Sequence, residues 1–190
     1  MSDMIEDLNN ALKVMKEGGV ILYPTDTIWG IGCDATNEEA VAKVYAIKER
    51  ADTKSMLVLI HTETLLPSYV SMVPEIAWEL IEASMDPLTI IYPGAKNLAK
   101  NLIGQDQTIG IRITKDDFCT QLISRFRKPI VSTSANLSGR SSPANYLEID
   151  ESIQDKVDYI VKWRQDDYTT AKPSSIIKLG VGGEIDILRK

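Results

Sequence analysis

The sequence predicts an α/β fold, one domain built on a large twisted, mixed β-sheet flanked by helices. Three observations predict it. Short β-branched runs at residues 20–23, 56–60 and 130–131 stop abruptly at small or polar residues, as buried strands do. Stretches with apolar residues at helical spacing separate these runs, the pattern of α/β proteins. Near the end, two strand-like segments flank Gly180, Gly182 and Gly183, so a hairpin adds antiparallel pairing to the sheet. A chain of 190 residues fits one domain, residues 1–190, and buries a core without staples.

The composition excludes several function classes. There are 21 basic and 27 acidic residues, a formal net charge of −6, which opposes broad non-specific nucleic-acid binding but leaves room for a local basic pocket. Two cysteines, Cys33 and Cys119, are too few for a disulfide scaffold or a cysteine zinc site. A Ser–His–Asp triad would rest on the lone histidine, His61, and no nucleophile motif accompanies it. No early apolar stretch reads as a signal peptide and none is long enough to span a bilayer, so a cytoplasmic protein without membrane association is expected.

In chain order, Ser2 or Asp3 caps a first helix with Ile5, Leu8, Leu12 and Met15 on one face, and Gly18-Gly19 stop it. Residues 20–23 form a strand, Pro24 ends it, and Thr25-Asp26-Thr27 follow as a polar loop that, taken alone, is turn chemistry. Gly30 and Gly32 keep the next stretch open to close approach. Asn37 caps a second helix with Glu38 and Glu39 in its first turn and Ala40, Val41, Val44, Tyr45 and Ile47 as its apolar stripe. That helix runs into Lys48-Glu49-Arg50-Ala51-Asp52-Thr53-Lys54, whose cations suit either a solvated helix end or a phosphate clamp.

Residues 56–60 form the second strand, and His61 after it reads as a surface residue. Pro74 suits the first turn of a helix carrying Ile76, Ala77, Leu80 and Ile81. Residues 88–92 form the third strand, with Pro93-Gly94 as its turn. Residues 108–113 form the fourth, alternating isoleucine with Thr108, Gly110 and Arg112, which share the face able to hold a ligand. An arginine between two isoleucines is either an ion-pair partner or an anion binder. Asp116 or Asp117 starts a helix with Phe118, Cys119, Leu122, Ile123 and Phe126. Residues 129–139, Pro-Ile-Val-Ser-Thr-Ser-Ala-Asn-Leu-Ser-Gly, are a fifth strand ending in hydroxyls, where ligands of open α/β sheets bind; alone, the hydroxyl-rich end reads more readily as a plain turn. Ser141-Ser142-Pro143 continue the loop, 146–155 read as a short helix, 158–162 as a strand, and 164–172 as a charged loop and candidate lid. Residues 174–179 and 184–188 form the hairpin.

No Gly-x-x-x-x-Gly-Lys-Ser/Thr loop and no helix-opening Gly-x-Gly-x-x-Gly is present, so P-loop and dinucleotide sites are not expected. Strand ends bearing Thr, Ser, Asn, Lys and Arg instead suit an anionic ligand and phosphoryl or nucleotidyl transfer.

Three segments carry a resemblance. Residues 23–34, Tyr-Pro-Thr-Asp-Thr-Ile-Trp-Gly-Ile-Gly-Cys-Asp, resemble the Tyr-Pro-Thr-(Glu/Asp)-Thr segment of the YrdC-like proteins; Lys48-Glu49-Arg50 resembles their Lys-x-Arg motif; and residues 132–139 are similar to their Ser-x-Ala-Asn-Leu-Ser-Gly segment. The order is the family's, Gly110-Ile111-Arg112 falls between the last two, and the likeness covers nearly the whole chain. It resembles the short, single-domain form, without the C-terminal domain of longer relatives.

The resemblance implies L-threonylcarbamoyladenylate synthesis, in which a nucleotidyltransferase condenses L-threonine, bicarbonate or CO2, and ATP to threonylcarbamoyl-AMP and pyrophosphate. The product would pass to the machinery that makes threonylcarbamoyladenosine in tRNA. Carried over by motif, Thr27, Arg112 and Ser132 contact threonine; Arg50, Lys54, Thr108, Ser134, Asn136, Ser142 and Arg189 lie along ATP; Lys48 and Arg50 neutralise the reacting charges. Mg²⁺ arrives with ATP, and no protein metal site is expected. The chain departs from the family pattern at Ala51, Lys54, Leu59 and residues 84–86, which bear on ATP contacts more than on the threonine pocket. The competing readings are a non-catalytic tRNA- or double-stranded-RNA-binding module, which the negative charge opposes while leaving room for weak tRNA contact, carbamoyl transfer as in hydrogenase-maturation proteins, and an inactive relative.

Overall fold

The alternation in residues 108–113 sets the two faces of the sheet. In the computed structural model, which describes residues 4–49 and 56–190, Ile109 and Ile111 turn to one face and Thr108, Gly110 and Arg112 to the other. Among the described residues nine strands form one sheet: β1 (Ile21–Tyr23), β2 (Gly30–Gly32), β3 (Leu57–Ile60), β4 (Leu88–Pro93), β5 (Thr108–Ile113), β6 (Ile130–Ser134), β7 (Tyr159–Ile160), β8 (Ser175–Leu179) and β9 (Ile185–Arg189). Their order is β7-β1-β2-β6-β3-β5-β4-β8-β9. The β1/β7, β3/β5 and β4/β8 pairs are parallel and the rest antiparallel, so the sheet is mixed as expected. No helix among the described residues is long and apolar enough to cross a membrane.

Six α-helices are described: α1 (Met4–Lys16), α2 (Glu38–Ile47), α3 (Leu66–Tyr69), α4 (Glu75–Ala83), α5 (Asp117–Phe126) and α6 (Glu151–Gln154). One face of the sheet buries Val58, Ile60, Ile90, Ile111 and Val131 with the α2 stripe. The opposite face is divided. At one end Ile21, Tyr23, Leu59 and Ile130 pack with Leu8 and Met15 of α1 and with Phe118, Leu122 and Phe126 of α5. Each such side chain contributes about 1.5–3 kcal/mol by leaving water. At the other end the polar side chains of Thr108, Arg112, Ser132 and Ser134 stand on the sheet.

Local signals decide the helix ends. The Asn37 side chain accepts from the Glu39 and Ala40 N–H groups, and all five stripe residues of α2 are buried. Asp116 caps α5 by accepting from Cys119 N at 2.9 Å, and its five apolar residues are buried. Three expectations need correction. Ile5 is 53% exposed, because the inward face of α1 centres on Leu8, Ala11 and Met15. Asp7 joins that face, its carboxylate accepting from the Tyr159 hydroxyl and Trp163 N. The caps proposed at Ser2 and Asp3 lie outside the described residues. The helix expected over 146–155 is a 3-10 turn at Tyr146–Glu148 followed by α6, because Asp150 restarts it as an N-cap to Ser152 N. The strand expected over 158–162 keeps two paired residues.

Strand β2 lacks the β-branched signal by which the other strands were read. A Cβ at Gly32 would lie 2.6 Å from Tyr23 Cε1 and 2.7 Å from Val131 O, so the close approach that removes the strand signal also lets β2 fit between β1 and β6.

Candidate active site

The polar end of this sheet face holds a cleft of about 400 Å³, within the usual range for small-molecule sites. Its floor is Thr108, Gly110 and Arg112 of β5 with Ser132 and Ser134 of β6. Thr27 and Trp29 form one wall, and Ser174, Lys178 and Arg189 the other, with Ser142 at the rim. Thus seven of the residues expected from sequence converge: Thr27, Thr108, Arg112, Ser132, Ser134, Ser142 and Arg189. For Thr108, Arg112, Ser132 and Ser134 the convergence follows from pairing, because β3 lies between β5 and β6 and the period-two alternation keeps their polar positions on one face.

The cleft is cationic. Arg112 is 3% exposed, and its Nη2 lies 3.1 Å from Asp26 Oδ1. Its Nε is buried and has no hydrogen-bond partner. A buried charged donor left in that state is costly unless a ligand meets it. Arg189 is anchored across the cleft, its Nε donating to Ser174 O at 2.8 Å. Burial and the Arg112 charge together hold the Arg189 pKa below its ordinary value, so the two guanidiniums feel each other. Lys178 Nζ pairs with Asp106 Oδ2 at 2.7 Å, and Thr108 Oγ1 donates to Asp106 Oδ1 at 2.6 Å. These bonds hold the Asp106 carboxyl below its ordinary pKa.

The hydroxyls are directed. Thr25 Oγ1 donates to Ile28 O at 2.8 Å, so in its 3.0 Å contact with Thr27 Oγ1 the Thr27 hydroxyl is the donor. Thr27 therefore keeps acceptor lone pairs for a ligand. The Trp29 ring is braced by Tyr146, with centroids 5.1 Å apart.

Two expected residues stand off the cleft wall. Lys48 is buried, and its Nζ donates to the carbonyls of Ser134 and Asn136, the latter at 2.7 Å. Ser138 N in turn donates to Lys48 O at 2.9 Å, so Lys48 ties down the loop after β6. Asn136 uses its amide NH2 to close that loop on Leu137 O and Arg140 O. Arg50 and Lys54 lie outside the described residues. The 164–172 loop is latched at its start, with Arg164 Nη1 on Thr25 O at 3.2 Å and Asp116 Oδ2 at 3.0 Å.

Sequence reasoning missed Asp26, Thr89, Ser174 and Lys178. Period two in β8 could have placed Lys178 beside Ile176, and period two in β4 could have placed Thr89, which sits opposite Arg112. No local pattern announces the Asp26–Arg112 contact.

A second cleft, of about 680 Å³, lies between α4 and the other sheet face. It is lined by Trp78, Ile81 and Tyr92, with Asp26, Glu63, Glu82 and Asp86 against Lys115, the wrong charge balance for a polyphosphate. Among the described residues no cluster of three or more His, Cys, Asp or Glu is placed to hold a metal ion.

The family model Sua5_yciO_yrdC, described as telomere recombination, matches residues 13–190. A Pseudoalteromonas translucida protein named threonylcarbamoyl-AMP synthase is 34% identical over 154 residues, 80% of this chain and 82% of that one. A Coxiella burnetii protein of the same name is 34% identical over 140 residues, 73% of this chain and 75% of its own. The crystal structure of E. coli YciO shares the fold, with a TM-score of 0.85 at 24% identity over 100% of this chain and 91% of that one. So does P. abyssi Sua5 complexed with L-threonine, with a TM-score of 0.82 at 24% identity over 94% of this chain and 52% of that one. The chain belongs to the Sua5/YciO/YrdC family.

Proposed function

We propose that the chain is an L-threonylcarbamoyladenylate synthase, condensing L-threonine, bicarbonate or CO2, and MgATP to threonylcarbamoyl-AMP and pyrophosphate. The observation that carries this reading is Arg112, a buried guanidinium with an unpartnered Nε on the floor of a hydroxyl-lined cleft. A planar fork of this kind suits a carboxylate. Family membership supports the reading, as do the names of the curated relatives and the threonine complex of P. abyssi Sua5.

The threonine carboxylate meets Arg112, and the acceptor lone pairs of Thr27 face its ammonium or hydroxyl. Ser132 lies on the amino-acid side; Thr108, Ser134 and Ser142 lie along the nucleotide, and Arg189 faces its phosphates. The free amine of threonine attacks the carbon of CO2, a C–N bond forms, and the amine gives up a proton. A carbamate oxygen then attacks the α-phosphorus in line. The bond from that phosphorus to the bridging oxygen breaks, and pyrophosphate leaves. Starting from bicarbonate, one water is also released. Mg²⁺ belongs to the ATP substrate, held by its phosphates. Catalysis of this kind is positioning and charge stabilisation. In this reading Lys48 acts by holding the loop that carries Ser134, while Arg50 and Lys54 remain the proposed phosphate ligands. The product goes to tRNA threonylcarbamoyl transfer.

The test is incubation of the purified protein with MgATP, labelled bicarbonate and L-threonine. The reading expects labelled, AMP-linked product and threonine-dependent pyrophosphate; folded protein that yields neither overturns it.

A further inference from the structure

We propose that Asp26 is the positioning residue for Arg112, holding one corner of the guanidinium so that it is oriented for the substrate carboxylate. This rests on the reading of the cleft as the threonine site.

A paired arginine and carboxylate usually meet as a fork, with two parallel N–H···O bonds. Here they do not. Asp26 Oδ1 sits 3.1 Å from Nη2, yet neither Asp26 Oδ1 nor Arg112 Nε makes a hydrogen bond. The pair is ionic, and it leaves the guanidinium Nε without a partner. Both side chains are largely buried, at 4% and 13% exposed, so the contact is poorly screened and fixes orientation.

The need for an anion at this point is visible. Arg189 lines the same cleft and feels the Arg112 charge, so an anion beside Arg112 offsets part of the repulsion between the two cations. The loop carrying Asp26 is itself fixed on both sides. Thr25 Oγ1 is bonded to Ile28 O and Thr27 N, and Thr25 O accepts from Arg164, which is held by Asp116 at the start of α5. Asp26 is thus a charge on a rigid mount. It also lines the second cleft rather than the substrate cleft, so it reaches Arg112 from behind and does not compete for the substrate's place.

The test compares binding of three ligands by calorimetry: L-threonine, L-threoninamide, which keeps the amine and hydroxyl but lacks the carboxylate, and MgATP. Asp26→Asn keeps the shape and removes the charge. It is expected to weaken threonine by about ten- to a hundredfold, the scale of a misplaced catalytic group, and to change threoninamide and MgATP by less than about twofold. Asp26→Glu restores the charge and is expected to cut the loss to about threefold, still confined to threonine. Should Asp26→Asn be recovered unfolded, Asp26→Glu alone decides by the same pattern. Unchanged threonine binding, or equal losses for all three ligands, overturns the proposal. Wild-type protein that binds no threonine overturns the reading of the cleft and the proposal with it.

Discussion

Arg112→Ala should abolish most threonine affinity while sparing ATP. Arg112 lines the cleft with its Nε unpartnered, and a carboxylate taken by the guanidinium fork would accept two charge-assisted bonds, each contributing about 1.5–3 kcal/mol. Allowing for water entering the space, about 3 kcal/mol is lost, close to a hundredfold in Kd. Alanine also strands Asp26, whose side chain is 13% exposed, so the fold loses stability too. Arg112→Lys separates the two effects. It keeps a cation for Asp26 but lacks the planar fork, so its melting temperature should stay near wild type while threonine binding still falls by about tenfold or more. Titration calorimetry with threonine and MgATP as separate ligands reads both. Equal losses for the two ligands, or an Arg112→Lys protein that binds threonine normally, would refute the carboxylate assignment.

Other substitutions probe the frame around the cleft. Lys48→Met keeps the apolar stem but strips the donor from the Ser134 and Asn136 carbonyls, each about 1–3 kcal/mol if left unsatisfied, so melting should drop by about 5 °C or more together with activity. Lost turnover at unchanged melting temperature would instead place Nζ directly on the reacting phosphates. Gly32→Ala forces a Cβ to 2.6 Å from Tyr23 Cε1 and 2.7 Å from Val131 O, a strain of about 1–3 kcal/mol that thermal melts should show as a loss of about 3–10 °C; a variant as stable as wild type would mean β6 yields freely. For Asp106, the Lys178 and Thr108 bonds hold the carboxyl below 3.8. Its stabilisation is therefore present above about pH 4 and lost as the pH falls through the lowered value, and Asp106→Asn should flatten that acid limb in melts taken across pH. An unchanged acid limb would remove the carboxyl from the balance.

Much of the fold was legible because the signals are local. The Ile109-Gly110-Ile111-Arg112-Ile113 alternation fixed both a core face and a ligand face, and Asn37 and Asp116 marked helix starts by chemistry that acts within three residues. Strand β2 escaped because Gly30 and Gly32 serve packing rather than propensity. The site divides in the same way. Ser132 and Ser134 could be read from a strand end and Arg112 from the alternation within its strand, whereas the Asp26–Arg112 pair joins positions far apart in sequence that only the folded sheet brings together. Lys48 shows the opposite limit. Its motif implies a cation that neutralises the reacting charges, the fold shows its ammonium on loop carbonyls, and no pattern of spacing tells a cation under a loop from one beside a ligand.

The most direct test of the account is threonine-dependent pyrophosphate release from MgATP and bicarbonate. The account predicts one pyrophosphate per AMP-linked product, with the bicarbonate carbon incorporated and the rate falling to background when threonine is omitted. Folded protein that releases no pyrophosphate, or releases it at the same rate without threonine, would contradict it.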